Sequence, residues 1–232
     1  MKKNSLLLII LSITLFISSC KKDNLDDDNS NNNNVQPDPI TDIDGNNYKT
    51  VKIGNQIWMA ENLRVTRYSN GDSILMTENS VSWKNNTIGA SCYYDNDINN
   101  KDTFGLIYNF YALSDTRNAC PAGWKVPTAD DWLTLISSLG GAGVAGVKLK
   151  SKTGWNDEIG TSNNSSGFTA YPAGYRDQNG NYSHKGNYTY FWTSTSLDAE
   201  RAFVFNIDKV VAEVYSYDEA KKYGHSCRCI KN

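Results

Sequence analysis

The clearest structural signal in the chain is the stretch Val126-Pro127-Thr128-Ala129-Asp130-Asp131-Trp132, which predicts the start of a helix. Thr128 is a favourable N-cap, since its hydroxyl can accept a hydrogen bond from a free amide of the first turn. Asp130 and Asp131 favour the positive end of the helix dipole. Four apolar residues then form one stripe at helical spacing, Trp132, Leu135, Ile136 and Leu139. Gly140-Gly141 predicts the end of the helix.

Strand patterns dominate on both sides of this helix. Residues 48–53 alternate between apolar and polar side chains, and residues 56–60 follow after a turn at Gly54-Asn55. Later strands are predicted at residues 168–173, 189–195, 201–207, 210–216 and 225–231. Apolar residues between 106 and 114 also recur at helical spacing, which predicts a second helix there. The chain therefore predicts one α+β domain, with two helices packed on mostly antiparallel strands and with long loops.

The amino terminus has the pattern of a secretory signal peptide. Lys2 and Lys3 precede a short apolar run, and two small residues lead to Cys20. The run is too short for a stable transmembrane span. The ending Ile17-Ser18-Ser19-Cys20 resembles the lipobox of bacterial lipoproteins, which implies that residues 1–19 are removed and that Cys20 carries the lipid. An ordinary secretory signal with an incidental cysteine is the alternative.

Residues 20–40 have the composition of a tether. Runs of aspartate and asparagine with almost no apolar residue cannot bury enough surface to offset the cost of ordering, so this stretch is predicted to be disordered. Acidic residues soon after a lipidated cysteine are similar to the surface-export signals of Bacteroidetes lipoproteins. We therefore expect an outer-membrane lipoprotein displayed on the cell surface, with the periplasmic face as the alternative. A solubilising acidic spacer would have the same composition.

Composition limits the classes of partner and the redox state. Without Lys2 and Lys3 the chain has 21 basic and 25 acidic side chains, and no basic stripe, so nucleic acid is not an expected partner. The expected partners are the membrane, through the lipid on Cys20, and an extracellular glycan or envelope protein. Four cysteines remain after Cys20, and an even count in an exported chain favours two disulfides.

Short motifs follow one another along residues 41–232. They are Asp42-Ile43-Asp44-Gly45-Asn46, Trp58-Met59-Ala60-Glu61-Asn62-Leu63-Arg64, Cys92-Tyr93-Tyr94-Asp95-Asn96-Asp97, Tyr108-Asn109-Phe110-Tyr111-Ala112, Cys120-Pro121-Ala122-Gly123-Trp124, Pro172-Ala173-Gly174-Tyr175-Arg176, Phe191-Trp192-Thr193-Ser194-Thr195 and Arg228-Cys229-Ile230-Lys231-Asn232. Together they resemble the Fibrobacter succinogenes major paralogous domain, a family of exported lipoproteins. The resemblance implies an architecture similar to the C-type-lectin-like fold and to the sulfatase-modifying domain.

The four remaining cysteines are assigned to two bridges. Cys120 with Cys229 would tie the helix to the last strand, as in lectin-like domains, and Cys92 with Cys227 is the second expected pair. The alternatives are Cys92–Cys229 with Cys120–Cys227, or two free thiols. The family usually has an aliphatic residue at the position of Cys227.

Two groups of residues are candidate binding sites. Oxygen ligands suited to calcium, the one cofactor that the sequence indicates, come from Asp95, Asn96, Asp97 and Asp102, although a polar loop that caps its own backbone has the same composition. A region rich in glycine and asparagine carries the second group, Tyr175, Arg176, Asp177, Tyr182, Tyr188 and Tyr190. Aromatic faces beside amides and carboxylates suit stacking on sugar rings, and tyrosine-rich surfaces also suit proteins. Alternate tyrosines that simply build the core are the other interpretation.

The sequence predicts a non-catalytic binding module for extracellular glycan or protein. It contains no nucleophile elbow, phosphate-binding glycine loop or metalloprotease motif. A structural or assembly role in the cell envelope is one alternative. An enzyme of the sulfatase-modifying type is another, which would require a reactive thiol.

Overall fold

A computed structural model describes residues 37–156 and 162–232. The predicted signal peptide, Cys20 and the tether as far as residue 36 lie outside the described residues, and so do residues 157–161.

Helices and short strands alternate along the described residues, so the chain is α+β. The helices α1–α5 are Ser80–Asn85, Lys101–Phe104, Phe110–Leu113, Ala129–Ser138 and Ala142–Leu149. The strands β1–β15 are Ile40–Thr41, Asn47–Tyr48, Thr50–Ile53, Gln56–Met59, Leu75–Met76, Ala90–Cys92, Ile107–Asn109, Trp124–Lys125, Tyr175–Arg176, Tyr182–Ser183, Tyr188–Ser196, Arg201–Asp208, Val214–Ala220, Gly224–His225 and Ile230–Lys231.

The strands form four sheets in which antiparallel pairing prevails. The orders are β1–β2, β3–β4–β15–β8, β10–β9–β14–β7–β6–β5 and β11–β12–β13, and among these neighbours only β5 and β6 pair in parallel. The last sheet has the longest strands, and β11 and β12 bury apolar side chains on both of its faces. Trp192 and Val204 belong to one apolar cluster, and Phe191 and Phe205 belong to another on the opposite face. This arrangement follows from the alternation of side chains along a strand.

The predicted helix after Pro127 is present as α4. The Thr128 side chain accepts a hydrogen bond from the Asp131 amide, and the Asp131 carboxylate accepts one from the Thr128 amide, which completes a capping box. The apolar stripe is buried, with Trp132 and Leu135 fully enclosed. Among the described residues no helix alone has the length and apolar composition of a membrane span. The pair α4 and α5 meets that test only when taken together, and the two are bent by 86° to each other.

The predicted helix over residues 106–114 is wrong in its first half. Residues 107–109 form β7, and the helix begins only at Phe110. Asn109 sets the boundary, because its side-chain oxygen accepts hydrogen bonds from the amides of Ala112 and Ala90. The first bond caps the short helix and the second holds the neighbouring strand, so the helix cannot extend toward Leu106.

Two of the late strands also differ from the prediction. Residues 168–173 form no strand, because the Arg228 guanidinium binds the carbonyls of Phe168 and Thr169, and Thr169 has a φ of +57°. Strand β13 begins at Val214 rather than at residue 210. The preceding carbonyls are already bound, that of Val211 by the Lys150 ammonium at 2.7 Å and that of Ala212 by the Gly146 amide at 2.8 Å.

Strand 225–231 is predicted as one element, but the structure divides it between two sheets. Gly224–His225 pairs with β7 and β9, whereas Ile230–Lys231 pairs with β4 and β8. Between them the carbonyls of Cys227 and Cys229 accept hydrogen bonds from the amides of Leu63 and Met59. The end of the chain therefore joins the two sheets.

One disulfide is present in the described residues, and it joins Cys120 to Cys229 with their Cα atoms 5.9 Å apart. The predicted second bridge is wrong, because Cys92 and Cys227 are free and buried. They lie in different apolar clusters, Cys227 with the disulfide and Cys92 with Trp83 and Tyr94.

Replacing Cys120 by alanine is expected to lower the free energy of unfolding by about 4 kcal/mol, because the bridge closes a loop of 109 residues in the unfolded chain. Cys92→Ala removes a buried thiol without a bridge and is the matched control, with an expected cost of about 1 kcal/mol. Urea denaturation of the oxidised protein measures both. Equal losses in the two variants would show that the bridge adds nothing beyond packing.

Candidate functional site

The candidate site lies on one face of the sheet β11–β12–β13. Residues that stand directly opposite each other in an antiparallel pair share a face. Tyr190 stands opposite Asn206, which stands opposite Tyr215. Tyr217 and Glu219 follow Tyr215 on β13 with the strand period of two, so they point to the same side.

Six tyrosines and one glutamate gather here, and we call them the tyrosine face: Tyr175, Tyr188, Tyr190, Tyr215, Tyr217, Tyr223 and Glu219. The ring centroid of Tyr175 lies 5.2 Å from that of Tyr190 and 5.9 Å from that of Tyr223. The rings of Tyr188 and Tyr190 are 6.1 Å apart, and those of Tyr215 and Tyr217 are 6.2 Å apart. Tyr217 is 45% exposed and the other members are partly exposed. The rings therefore form two contacting groups on one face, one of Tyr175, Tyr188, Tyr190 and Tyr223 and one of Tyr215 and Tyr217.

Three of the six residues predicted for ligand binding lie on this face, Tyr175, Tyr188 and Tyr190. Arg176 does not, because its side chain is fully buried on the other side of β9. Its guanidinium donates to the carbonyls of Thr77 at 2.8 Å and Glu78 at 2.7 Å. A buried guanidinium bound to backbone carbonyls holds neighbouring segments together and is closed to a ligand, so the prediction for Arg176 is corrected to a structural role.

Tyr182 and Asp177 are also placed away from the tyrosine face. The Tyr182 ring packs under the Arg176 guanidinium at 4.8 Å, and its hydroxyl donates to Asn96. The Asp177 carboxylate accepts from the amides of Asn179 and Asn181, both at 2.8 Å. These bonds close the turn at residues 177–181, as Asx side chains commonly do.

His225 lies beneath the tyrosine face. It is 1% exposed, and its imidazole stacks on the Tyr190 ring at 5.1 Å and packs on the Trp192 ring at 4.8 Å. Neither ring nitrogen has a hydrogen-bond partner in the described part of the chain. Burial lowers the pKa of His225 to about 3, so the imidazole is neutral at pH 7. A neutral, fully packed imidazole acts here as a flat support for the tyrosine rings.

Acidic groups raise the pKa values of the phenols on the face. Burial, together with the charge of Glu219, raises the pKa of Tyr223. The nearby carboxylate of Asp208 is the largest cause of the raised pKa of Tyr188. A hydrogen bond to Glu213 raises the pKa of Tyr215 to about 12. The phenols of Tyr188, Tyr215 and Tyr223 are therefore neutral hydrogen-bonding groups at physiological pH.

The predicted calcium ligands are not brought together. The Asp97 carboxylate caps residues 98–100 by accepting a hydrogen bond from the Asn99 amide at 2.9 Å. The Asn96 side chain accepts a hydrogen bond from the Tyr182 hydroxyl and donates one to the Glu78 carbonyl. Asp102 lies on α2, beside the cleft described below. Among the described residues, one group of three or more His, Cys, Asp and Glu side chains has its ligand atoms within 4.8 Å, and it consists of Cys120, Cys227 and Cys229. Two of those sulfurs form the disulfide, so they are not free for a metal.

A separate cleft of about 570 Å³ lies where the described chain begins. Pro37 and Asp38 form one wall and are held by the Thr50 hydroxyl, which donates to both carbonyls at 2.9 Å. Glu61 and Tyr171 lie on other walls. The cleft has a volume typical of small-molecule sites. It combines acidic, basic and hydroxyl groups, and the described residues indicate no single ligand chemistry for it.

Sequence reasoning missed Tyr215, Tyr217, Glu219 and Tyr223. The signal was present, because residues 215, 217 and 219 alternate as one side of a strand should. The predicted strand ended at residue 216, so the alternation was cut short. Tyr223 belongs to a turn, and only the tertiary fold places it beside Tyr175.

Comparison with known proteins gives one match. A family model described as the Fibrobacter succinogenes major domain matches residues 51–231. No curated protein and no solved structure matches the chain.

The buried His225 is expected to make stability depend on pH. In the unfolded chain His225 binds a proton near pH 6.5, whereas in the folded chain it stays neutral down to about pH 3. The contribution of the neutral His225 to the free energy of unfolding is therefore complete above pH 6.5 and is lost as the pH falls toward 3. Between pH 6.5 and pH 3, protonation of His225 in the unfolded chain lowers the free energy of unfolding by up to about 1.4 kcal/mol for each unit that the pH falls. Replacing His225 by phenylalanine should remove that part of the slope, as measured by urea denaturation between pH 7 and pH 4.

His184→Phe is the matched control, because His184 is an exposed histidine at the edge of the same aromatic group, with its ring 5.3 Å from that of Tyr175. The carboxylates contribute the same pH dependence to the wild type and to both variants, so their contribution cancels when the slopes are compared. If the wild type and His225→Phe have the same slope while His184→Phe differs, the assignment to His225 is wrong.

Proposed function

The chain belongs to the Fibrobacter succinogenes major domain family, and we propose that it is a surface lipoprotein whose tyrosine face binds extracellular glycan without catalysis. Its domain has a C-type-lectin-like architecture in this proposal. The signal peptide ends at residue 19, Cys20 carries the lipid, and the tether begins there. The predicted end of the tether at residue 40 is too late, because the carbonyls of Pro37 and Asp38 are bound by Thr50 and Ile40 lies in β1. Acyl chains contribute about 0.8 kcal/mol for each buried methylene, so a multiply acylated Cys20 anchors the chain to the outer membrane.

The aromatic surface is the observation that carries the proposal. A ring of tyrosine presents an apolar face to the C–H groups of a sugar and a hydroxyl to its polar edge. On this face the rings are exposed or partly exposed, and they form two contacting groups, one around Tyr190 on β11 and one on β13. Such a surface suits an extended chain of sugar units better than a single small molecule, which would require a deeper pocket.

Rigid support favours the same function. Tyr190 stacks on the buried His225, and β11 also carries Phe191 into the core on its other side. A ligand therefore meets rings whose positions are already fixed, and little conformational entropy is lost on binding. Tyrosine costs little entropy in any case, since it has only two side-chain torsions.

The two free thiols favour a binding function over an enzymatic function of the sulfatase-modifying type. A nucleophilic or redox thiol has to be accessible and partly ionised. Cys92 and Cys227 are fully buried, and burial raises the pKa of each. Both are therefore suited to packing, which supports a non-catalytic role for this chain.

Replacing Tyr217 by alanine is expected to weaken glycan binding about tenfold, which corresponds to about 1.4 kcal/mol for a lost stacking contact. Affinity electrophoresis through gels that contain xylan, mixed-linkage β-glucan, glucomannan or chitosan measures the retardation of wild type and variant. Tyr217 is the most exposed member of the face, so its replacement should leave the melting temperature almost unchanged.

Tyr171→Ala is the matched control, because it removes a partly exposed tyrosine from the separate cleft. Retardation should persist in this variant. Retardation that is lost in Tyr171→Ala and kept in Tyr217→Ala would move the site to the cleft. No retardation by any polysaccharide would contradict the glycan proposal and favour an envelope protein as partner or an assembly role.

Replacing Cys20 by alanine is expected to release the protein from membranes. The substitution removes the only residue that the proposed lipid can modify, and residues 20–40 contain too little apolar surface to bind a bilayer alone. Ultracentrifugation of cell lysates, followed by immunoblotting of the soluble and membrane fractions, measures the change. Cys92→Ala should stay in the membrane fraction. Unchanged fractionation of Cys20→Ala would overturn the anchor.

A further inference from the structure

Glu219 differs from the other acidic groups around the tyrosine face, because it is partly buried and has no partner. Asp218 pairs with Arg201, and Glu213 accepts from the Tyr215 hydroxyl. The Glu219 carboxylate makes no hydrogen bond or ion pair with any described residue, and only its backbone is paired, in the ladder with β12. Burial raises the pKa of Glu219, and the nearby Arg201 guanidinium offsets only part of the solvation that the ionised form loses.

The position of Glu219 on the face is set by β13. It stands opposite Ala202, and it follows Tyr215 and Tyr217 on the same side of the strand. Its charge also raises the pKa of Tyr175, Tyr190 and Tyr223, after the larger effect of burial in each case. The carboxylate therefore lies on the same side as Tyr215 and Tyr217, near enough to influence tyrosines from three other segments of the chain.

Cations at this end of the face are already engaged. The Arg201 guanidinium lies close enough to lower the pKa of Glu219, but it pairs with Asp218. The Lys221 ammonium donates to the carbonyls of Asp198 at 2.7 Å and Ala199 at 3.2 Å. Lys209 lies near Tyr188, at the opposite end. These cations are held by other groups, so none of them forms an ion pair with the Glu219 carboxylate.

We propose that the tyrosine face selects glycans that carry free amines, such as polymers of glucosamine, through an ion pair between the sugar ammonium and Glu219. This inference rests on the proposed function and specifies its ligand class. A partly buried carboxylate is a good partner for an ammonium group, because the pair is weakly screened there. Tyrosine rings within about 6 Å add a cation–π attraction that an acetylated amine, which is neutral, cannot make.

The experiment compares two soluble hexasaccharides that differ only in acetylation, glucosamine and N-acetylglucosamine. Calorimetry on the oxidised full chain at about pH 6 keeps amines largely protonated and most carboxylates ionised. We expect the amine form to bind at least tenfold more tightly. The preference should fall to less than threefold in Glu219→Gln, which keeps the size of the side chain and removes its charge.

Glu78→Gln is the matched control, since Glu78 is exposed, and its carboxylate makes no hydrogen bond with the described residues. It removes the same charge and should keep the preference. Equal binding of both hexasaccharides by the wild type would overturn the amine selectivity and leave the glycan-binding face intact. A preference that survives in Glu219→Gln would overturn the role of Glu219. No binding of either sugar, with no retardation in the polysaccharide gels, would overturn the proposed function as well.

Discussion

The stack of the Trp132 indole on the Phe205 ring, with centroids 5.1 Å apart and planes 13° apart, fixes helix α4 on the three-stranded sheet. Trp132 also contacts Trp58, Phe168 and Phe191 within 5.7 Å. One fully buried side chain thus joins the helix to four separate segments of the chain. Aromatic pairs of this kind contribute about 0.5–1.5 kcal/mol each beyond the area that they bury. The orientation of the sheet, and with it the direction of its outer tyrosines, depends on this cluster.

Alternation along β11 links that core to the candidate site. Phe191 points toward Trp132, while Tyr190 and Trp192 point to the other side, where His225 lies between rings. A change that shifts the register by one residue would exchange the two sets, so the core and the tyrosine face are specified by the same hydrogen bonds. This coupling explains why a surface for ligands can be built from large side chains without losing its shape.

Local signals in the sequence were sufficient for some parts of the structure and insufficient for others. Helix α4 was predicted correctly because its cap, its stripe and its terminating glycines are all contained in one short stretch. Strand β13 was misplaced because Lys150, distant in sequence, binds the carbonyl of Val211. Arg176 was assigned to a binding surface because an arginine beside tyrosines suits one, yet three backbone carbonyls hold it inside. Burial and partners of polar groups depend on tertiary contacts that spacing along the chain does not contain.

The location of the ligand is the central claim, and nuclear magnetic resonance tests it most directly. The isotope-labelled chain is titrated with a short oligosaccharide prepared from the polysaccharide that retards it most. We predict that shift changes concentrate on β11, β13 and the segments around Tyr175 and Tyr223. Changes that centre instead on Glu61, Asp102 and Tyr171 would place the ligand in the cleft and contradict a binding role for the tyrosine face.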